Sequence, residues 1–494
     1  MISNSLLLRP GLAISVCLLY HWLATVAVNA QESPLVDLSA NEYEALQQIS
    51  DASVSGTISF LASDELAGRG TPSKELNIAA AYVASRLRAA GAEGLGPNGS
   101  YYIESSLETV QTASSGCRVV VKSRPTGDQA DAVVQSSLIA GTEDVAMTYS
   151  GKVLKVHDTE PPESVAGPVV IQLGDDEGDG PPPMFQIRQA ARRLSAVGAT
   201  VLLVEVPATT DDSTSHPLWA IAKQMQDAPR TTGARSQFNL PVVLVAANQI
   251  KDGATIELTV PADLKGSTVV RNVAGVVRGS DEKLAQQALL FSAHLDHLGS
   301  GAPGADPIYN GADDDASGVT AVLTLADAFA SLQPVAARST IFVTFWGEEQ
   351  GLLGSKEFVQ NSPWPLDQVV ANINIEMVGR PEANAENKMW MTGWTESSLG
   401  QQVAFGSRRV GVETFEHPRF SAMLYRASDN FSFVQQGVIA HSFSAGSLHD
   451  DYHQPGDEWQ KLNLTHMTNV IRGLFAGTLP IAHGKVTPVV RSKE

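Results

Sequence analysis

Residues 293–318, AHLDHLGSGAPGADPIYNGADDDASG, constrain the fold more than any other stretch, because two histidines and five aspartates sit between two apolar segments. Leu289, Leu290, Phe291 and Ala293 read as a buried strand that leads into His294. From Ser317 a helix is expected to open, since Val319, Val322, Leu323, Ala326 and Phe329 recur at three- and four-residue spacing. Ligand-type side chains therefore cluster where a strand ends, which is where open α/β sheets place their sites. In an extended strand, residues two apart share a face. His294 is then expected to offer one ring nitrogen to a metal while Asp296 accepts the other N–H, and His297 is expected to point away. On its own, HLD reads as readily as a structural histidine beside solvated charges. The rest of the chain alters that balance.

Similar residues recur at later strand ends. Ser339 to Trp346, STIFVTFW, ends on Gly347-Glu348-Glu349 before a helix expected over Gln350 to Val359. Val369 to Ile375 ends on Glu376, and the loop His449 to Asp457 carries Tyr452-His453. Two adjacent carboxylates at a strand end face different directions, so one can bind a metal while the other faces a substrate water. The set His294, Asp314 or a neighbour, Glu348, Glu349, Glu376 and His453 has no thiolate and suits zinc, cobalt or manganese. Three or more carboxylates would over-neutralise one dication. Two ions sharing a carboxylate, typically about 3.5 to 4 Å apart, would balance them.

At the other end, Arg9 precedes an apolar run from Leu12 to Val28, and Val28-Asn29-Ala30 places small residues at a cleavage position. Residues 1–30 are therefore expected to be a signal peptide, making the protein secreted or periplasmic with no stable membrane insertion after cleavage. Cys17 leaves with that segment, so the mature chain keeps Cys117 and no internal disulfide. A formal net charge of −19 argues against nucleic acid or an anionic membrane surface as partner. The clearest early helix runs from about Lys74 to Ala90, with Ser73 as N-cap and Gly91 beyond its end. Before it, Asp64 to Gly70 reads as a glycine-punctuated turn. Composition shifts near Gly141: strands Val169 to Leu173, Thr200 to Val206 and Leu240 to Val245 alternate with acidic, proline-rich loops and hold no cluster of histidines and carboxylates. Residues 142–263 thus read as a small α/β module inserted between 35–141 and 264–485.

AHLDHLG, NGADDDASG, GEEQGLLGS, NIEMVGR and YHQPGD, in this order, resemble the metal-site motifs of the M28 family of zinc-dependent peptidases. LASDELAGRG resembles that family's N-terminal segment, and 142–263 resembles a protease-associated (PA) domain in its inserted position. The resemblance implies an α/β fold, a mixed and mostly parallel sheet flanked by helices. It implies two divalent ions, zinc foremost, with His294 and Glu376 each on one, Glu349 and His453 on the other, and Asp314 bridging, the count being set from Gly318. Many aminopeptidases of the family have Asp where this chain has Glu376. Glu348 matches the general base and Tyr452 a phenol that steadies the tetrahedral intermediate. Asp296 matches the partner of His294, Asp315 shapes the turn, and Arg426 is a candidate substrate contact beside Ser428-Asp429-Asn430. The implied function is removal of N-terminal residues from peptides. A carboxypeptidase or dipeptidase of the same family is the alternative, and a non-catalytic transferrin-receptor-like binding protein is the second.

Overall fold

The computed structural model describes residues 38–491 apart from 124–129, 143, 157–162, 174–182, 208–215, 228, 232–237 and 302–305. The expected signal peptide lies outside the described residues, as does the acidic loop after Leu173. Among the described residues no helix is long and apolar enough to cross a membrane.

Helix α1 is Lys74–Ala89, capped by Ser73, whose Oγ accepts from the Leu76 N–H at 2.9 Å. The main sheet contains β1 (Tyr102–Gln111), β2 (Arg230–Thr231), β3 (Leu264–Val277), β4 (Ala288–His294), β5 (Ser339–Phe345), β6 (Val369–Ile375), β7 (Lys388–Met391), β8 (Glu413–Phe415) and β9 (Ala440–Ser444). Their spatial order is β2-β1-β3-β5-β4-β6-β9-β7-β8, with a two-residue strand, Glu93–Gly94, pairing on β3 off that path. The sheet is mixed. Parallel pairing joins β5, β4, β6 and β9 at its centre and β7 to β8 at one edge, while β2, β1, β3 and β5 pair antiparallel.

Helices cover both faces, which is why the central strands read as unbroken apolar runs. Leu289, Phe291 and Ala293 of β4 pack into one core with α1, α2 (Gly318–Ser331) and α4 (Leu464–Ala482). Leu290 faces the other core beside Phe358 of α3 (Leu353–Gln360) and Phe433. Helix α3 starts later than the expected Gln350, because Gly351 and Leu352 have positive φ, which a helix cannot include. Helix α2 opens where expected, directly after Ser317, whose side chain makes no capping hydrogen bond. The Ser317 hydroxyl donates to the Asp313 carbonyl, and Asp315 Oδ1 instead accepts from the Gly318 N–H.

The chain between β1 and β3 forms two further sheets. One orders Ser136–Ala140, Val242–Ala246, Ala199–Val206, Gly167–Gln172 and Leu154–Val156, and the other Ala132–Val134, Arg118–Val121, Thr255–Val260 and Met147–Lys152. Val119, Val170, Leu203, Val243 and Leu258 fill the core between them. The boundary expected at Thr142 moves upstream. Arg118–Val121 is hydrogen-bonded to Thr255–Val260, so three strands before Thr142 belong to these sheets.

Candidate metal centre

Because β5, β4, β6 and β9 run parallel, their C-terminal ends share one edge of the sheet, and the side chains singled out from the sequence arrive there from successive strands. His294 is the last residue of β4. Its Nδ1 lies 2.9 Å from the Asp296 carbonyl oxygen, so that nitrogen carries the proton, and its Nε2 faces Asp314 Oδ1 at 3.1 Å. The expected partner of His294 is therefore corrected in detail: the backbone of Asp296 serves, not its carboxylate, whose Oδ1 is 3.9 Å away. That carboxylate instead accepts from the Glu348 N–H at 3.0 Å and the Thr71 hydroxyl at 3.0 Å, tying β4's end to the loop after β5.

The three aspartates before α2 divide their work. Asp313 Oδ1 accepts from the Gly379 N–H at 2.7 Å. Asp315 accepts from the His294, Gly318 and Met377 N–H groups. Asp314 turns to two imidazoles, with Oδ1 toward His294 and Oδ2 3.1 Å from His453 Nε2, while the second oxygen of Asp313 lies 3.3 Å from His449 Nε2. Asp457, quoted within YHQPGD but given no role, accepts from the Asp313 and Asp314 N–H groups and so holds the turn from below.

His453 Nε2 is also 3.3 Å from Glu349 Oε1, and His297 Nδ1 lies 2.9 Å from the same oxygen. The expectation that His297 points away is overturned. Strand β4 ends at His294, so the two-residue alternation stops before His297, and its ring turns inward against Gly311, where a Cβ would come within 2.5 Å of it. Ligand atoms of His297, Asp314, Glu349 and His453 all lie within 4.8 Å of one another. Asp314 Oδ2, Glu349 Oε1 and both His297 nitrogens are buried without a well-aligned hydrogen bond. A divalent cation would satisfy such atoms. Glu376, just past β6, receives donors from Asn374 and Ser428 on Oε1.

Electrostatics point the same way. Burial disfavours charge on His294, yet Asp314, Glu348 and Asp315 outweigh it and hold the imidazole's pKa well above its usual value. His453 behaves alike: burial opposes it, but Asp314 and Glu349 raise it to about 10. Burial pushes Glu376 up to about 8, helped by Asp314 and Asp429. Burial also drives Glu348 well above the usual carboxylate range, reinforced by Glu376, Asp429 and Glu349. Carboxylates thus outnumber the imidazoles that face them, and the cluster calls for added positive charge.

A cavity of about 130 Å³ opens onto these groups, lined by His294, Asp314, Glu348, Glu349, Glu376, Tyr452 and His453 on the polar side and by Met377, Trp390, Phe420, Leu424 and Leu448 on the apolar side. Tyr452 stacks on His453 with centroids 3.9 Å apart, and burial followed by nearby carboxylates raises its phenol further, so it stays protonated. Arg426 is exposed with its guanidinium over Phe431 and does not line this cavity, unlike its neighbours Ala427 and Ser428.

The Peptidase family M28 model matches residues 272–477. A probable zinc metalloprotease of Pyrenophora teres f. teres is 35% identical over 114 residues, 23% of this chain and 24% of that protein. A probable leucine aminopeptidase of Arthroderma benhamiae is 27% identical over 223 residues, 44% of this chain and 57% of that protein. This chain therefore spans less than two thirds of the length of either relative. A solved zinc aminopeptidase from Bacillus subtilis shares 16% identity and a TM-score of 0.54, over 89% of this chain and 97% of that one, a likeness of fold.

Proposed function

Because residues 272–477 carry a peptidase family M28 domain, we propose that the protein is a zinc-dependent aminopeptidase. The observation that carries this reading is the position of Asp314, with His294 on one of its oxygens and His453, beside Glu349, on the other. Two zinc ions would be held, one by His294, Asp314 and Glu376 and one by Asp314, Glu349 and His453. His297, whose Nδ1 lies 2.9 Å from Glu349 Oε1, would help to orient that carboxylate. Cations bound there supply the charge that acidifies a water and polarises a carbonyl. Glu348 accepts the proton of the attacking water and passes it to the leaving amine, a task suited to a carboxyl whose pKa is raised by burial. Tyr452 donates its phenolic hydrogen to the carbonyl oxygen as negative charge develops there.

The substrate end follows from charge. The cavity presents Glu348 and Glu376, and among the described residues no lysine or arginine lines it. Arg380, the other cation near the motifs, is held by Asp451 at 2.8 and 2.9 Å. A peptide's terminal ammonium is thus favoured over its terminal carboxylate, which this wall would repel. Elemental analysis of the purified protein and hydrolysis of Leu-anilide-type substrates with their N-acetylated forms test the reading together. Two ions per chain and loss of turnover on acetylation are expected. One ion at saturation would sink the dinuclear site. Turnover that survives acetylation but is abolished when a peptide's C-terminus is amidated would reverse the assigned end.

A further inference from the structure

The segment Asp64 to Gly70 is used by none of the chemistry above, yet it contains a fully buried arginine, Arg69, 1% exposed. Among the described residues its guanidinium makes no hydrogen bond to a carboxylate. Nε donates to the Leu295 carbonyl at 2.8 Å, Nη1 to the Leu61 and Asn310 carbonyls and Nη2 to the Gly311 carbonyl at 3.0 Å. Leu295 directly follows His294, and Asn310-Gly311 directly precedes the turn that presents Asp314. The backbone of the same segment is threaded into place. Ala67, Gly68 and Arg69 all have positive φ, a Cβ on Gly68 would lie 2.3 Å from the Gly299 and Tyr309 carbonyl oxygens, and the Arg69 carbonyl accepts from the His297 N–H at 3.3 Å.

We propose that Arg69 is a positioning residue for the metal pair: its planar head ties the end of β4, which bears His294, to the segment bearing Asp314, and so fixes the separation at which the two hold a cation. This rests on the metallopeptidase reading above. Only arginine offers five N–H donors in one rigid plane, enough to bind carbonyls from three segments at once, whereas a lysine ammonium is a compact charge with three donors and a flexible stem. A buried charge is costly unless well paired, and here four carbonyl dipoles together with Asp296, Asp315, Asp314 and Asp457 surround it. A side chain that merely filled space would need neither the charge nor the fork.

The test uses the full chain, stripped of metal and titrated with Co²⁺ while its visible absorption bands are followed, with Zn²⁺ affinity measured against a competing chelator. Arg69→Lys, which keeps the charge, is expected to bind at least about tenfold more weakly than wild type, the loss typical when a partner of a metal ligand is removed. Its cobalt bands should shift, since the ligands sit at altered spacing. A folded Arg69→Lys protein with wild-type cobalt affinity and spectrum would overturn the proposal. Should the variant not fold, hydrogen exchange on the metal-free wild type decides: residues 294–297 and 310–316 should be protected before any metal is added. Free exchange there until metal binds would overturn it equally, because the cation and not Arg69 would then order the site. A wild-type protein that binds no cobalt would overturn the metallopeptidase reading and this proposal with it.

Discussion

Glu348 and Glu349 are neighbours of the same chemistry placed in opposite electrostatic surroundings. Burial would raise both, but the imidazoles of His297 and His453 close to it pull Glu349 down to about 2, while Glu376, Asp429 and Glu349 push Glu348 further up. One is thereby prepared to stay ionised beside a cation, the other to exchange a proton. Glu348→Gln keeps shape and should keep bound zinc, yet remove a general base worth roughly 10²- to 10⁴-fold in rate. Elemental analysis beside turnover checks this. Metal lost from Glu348→Gln, with metal retained in Glu349→Gln, would mean that the two roles are exchanged. The side chains that meet at Asp314 were largely legible from residue type at strand ends. His297, Asp457 and Arg69 were not. Asp457 and Arg69 act on backbone N–H and C=O groups far along the chain, and a sequence displays side chains without showing which backbone groups need partners.

Among elements, β4, β5 and β6 were legible because each is buried on both faces, and α1 because its apolar period and its Ser73 cap coincide. The late start of α3 was not, since its delay is set by two positive-φ residues, Gly351 and Leu352, whose need arises from the loop's tertiary position. Strand β9 carries a device of its own. His441 is fully buried, its Nδ1 2.7 Å from the Thr392 carbonyl and its Nε2 2.8 Å from Ser397 Oγ, and burial lowers its pKa from 6.5 to about 4. Between those values the unfolded chain binds a proton that the folded chain refuses. Stability from this group is therefore complete above about pH 6.5 and is lost as pH falls toward 4, by about 3 kcal/mol for a shift of this size. Denaturant unfolding of metal-free wild type and His441→Gln across that window should show the gap between them narrowing or reversing as pH drops. A constant gap would mean that the imidazole is not held neutral. Working without metal keeps the titration of the other histidines common to both proteins.

At the scale of the whole molecule, the inserted sheets are not simply appended to the larger one. Arg230–Thr231 leaves them to form β2, the edge strand on β1, and Thr231 Oγ1 reaches Gln350 Oε1 at 3.1 Å, one residue beyond Glu349. Gln111 of β1 donates to the Gln226 carbonyl in the helix just before. Through Thr231 this part of the chain contacts the loop that presents Glu348 and Glu349, far from it in sequence. Its removal has a natural junction, because Gln111 and Leu264 are register partners on adjacent antiparallel strands. A two-residue Asn-Gly turn in place of 112–263 would join β1 to β3 as a hairpin and leave no strand of the smaller sheets unpaired. The shortened protein should still bind its metals, since His294, Asp314, Glu349, Glu376 and His453 all lie outside the excised segment. Its relative rates on dipeptide and longer peptide substrates should change, because both the contact with the Glu348 loop and the module itself are gone. Thr231→Val removes only the hydrogen bond to Gln350, so a shift shared by that variant traces to that contact, and one confined to the excision traces to the bulk of the module. If rates across peptide lengths stay in wild-type proportion in both proteins, the insertion is passive and the contact with Gln350 has no bearing on turnover.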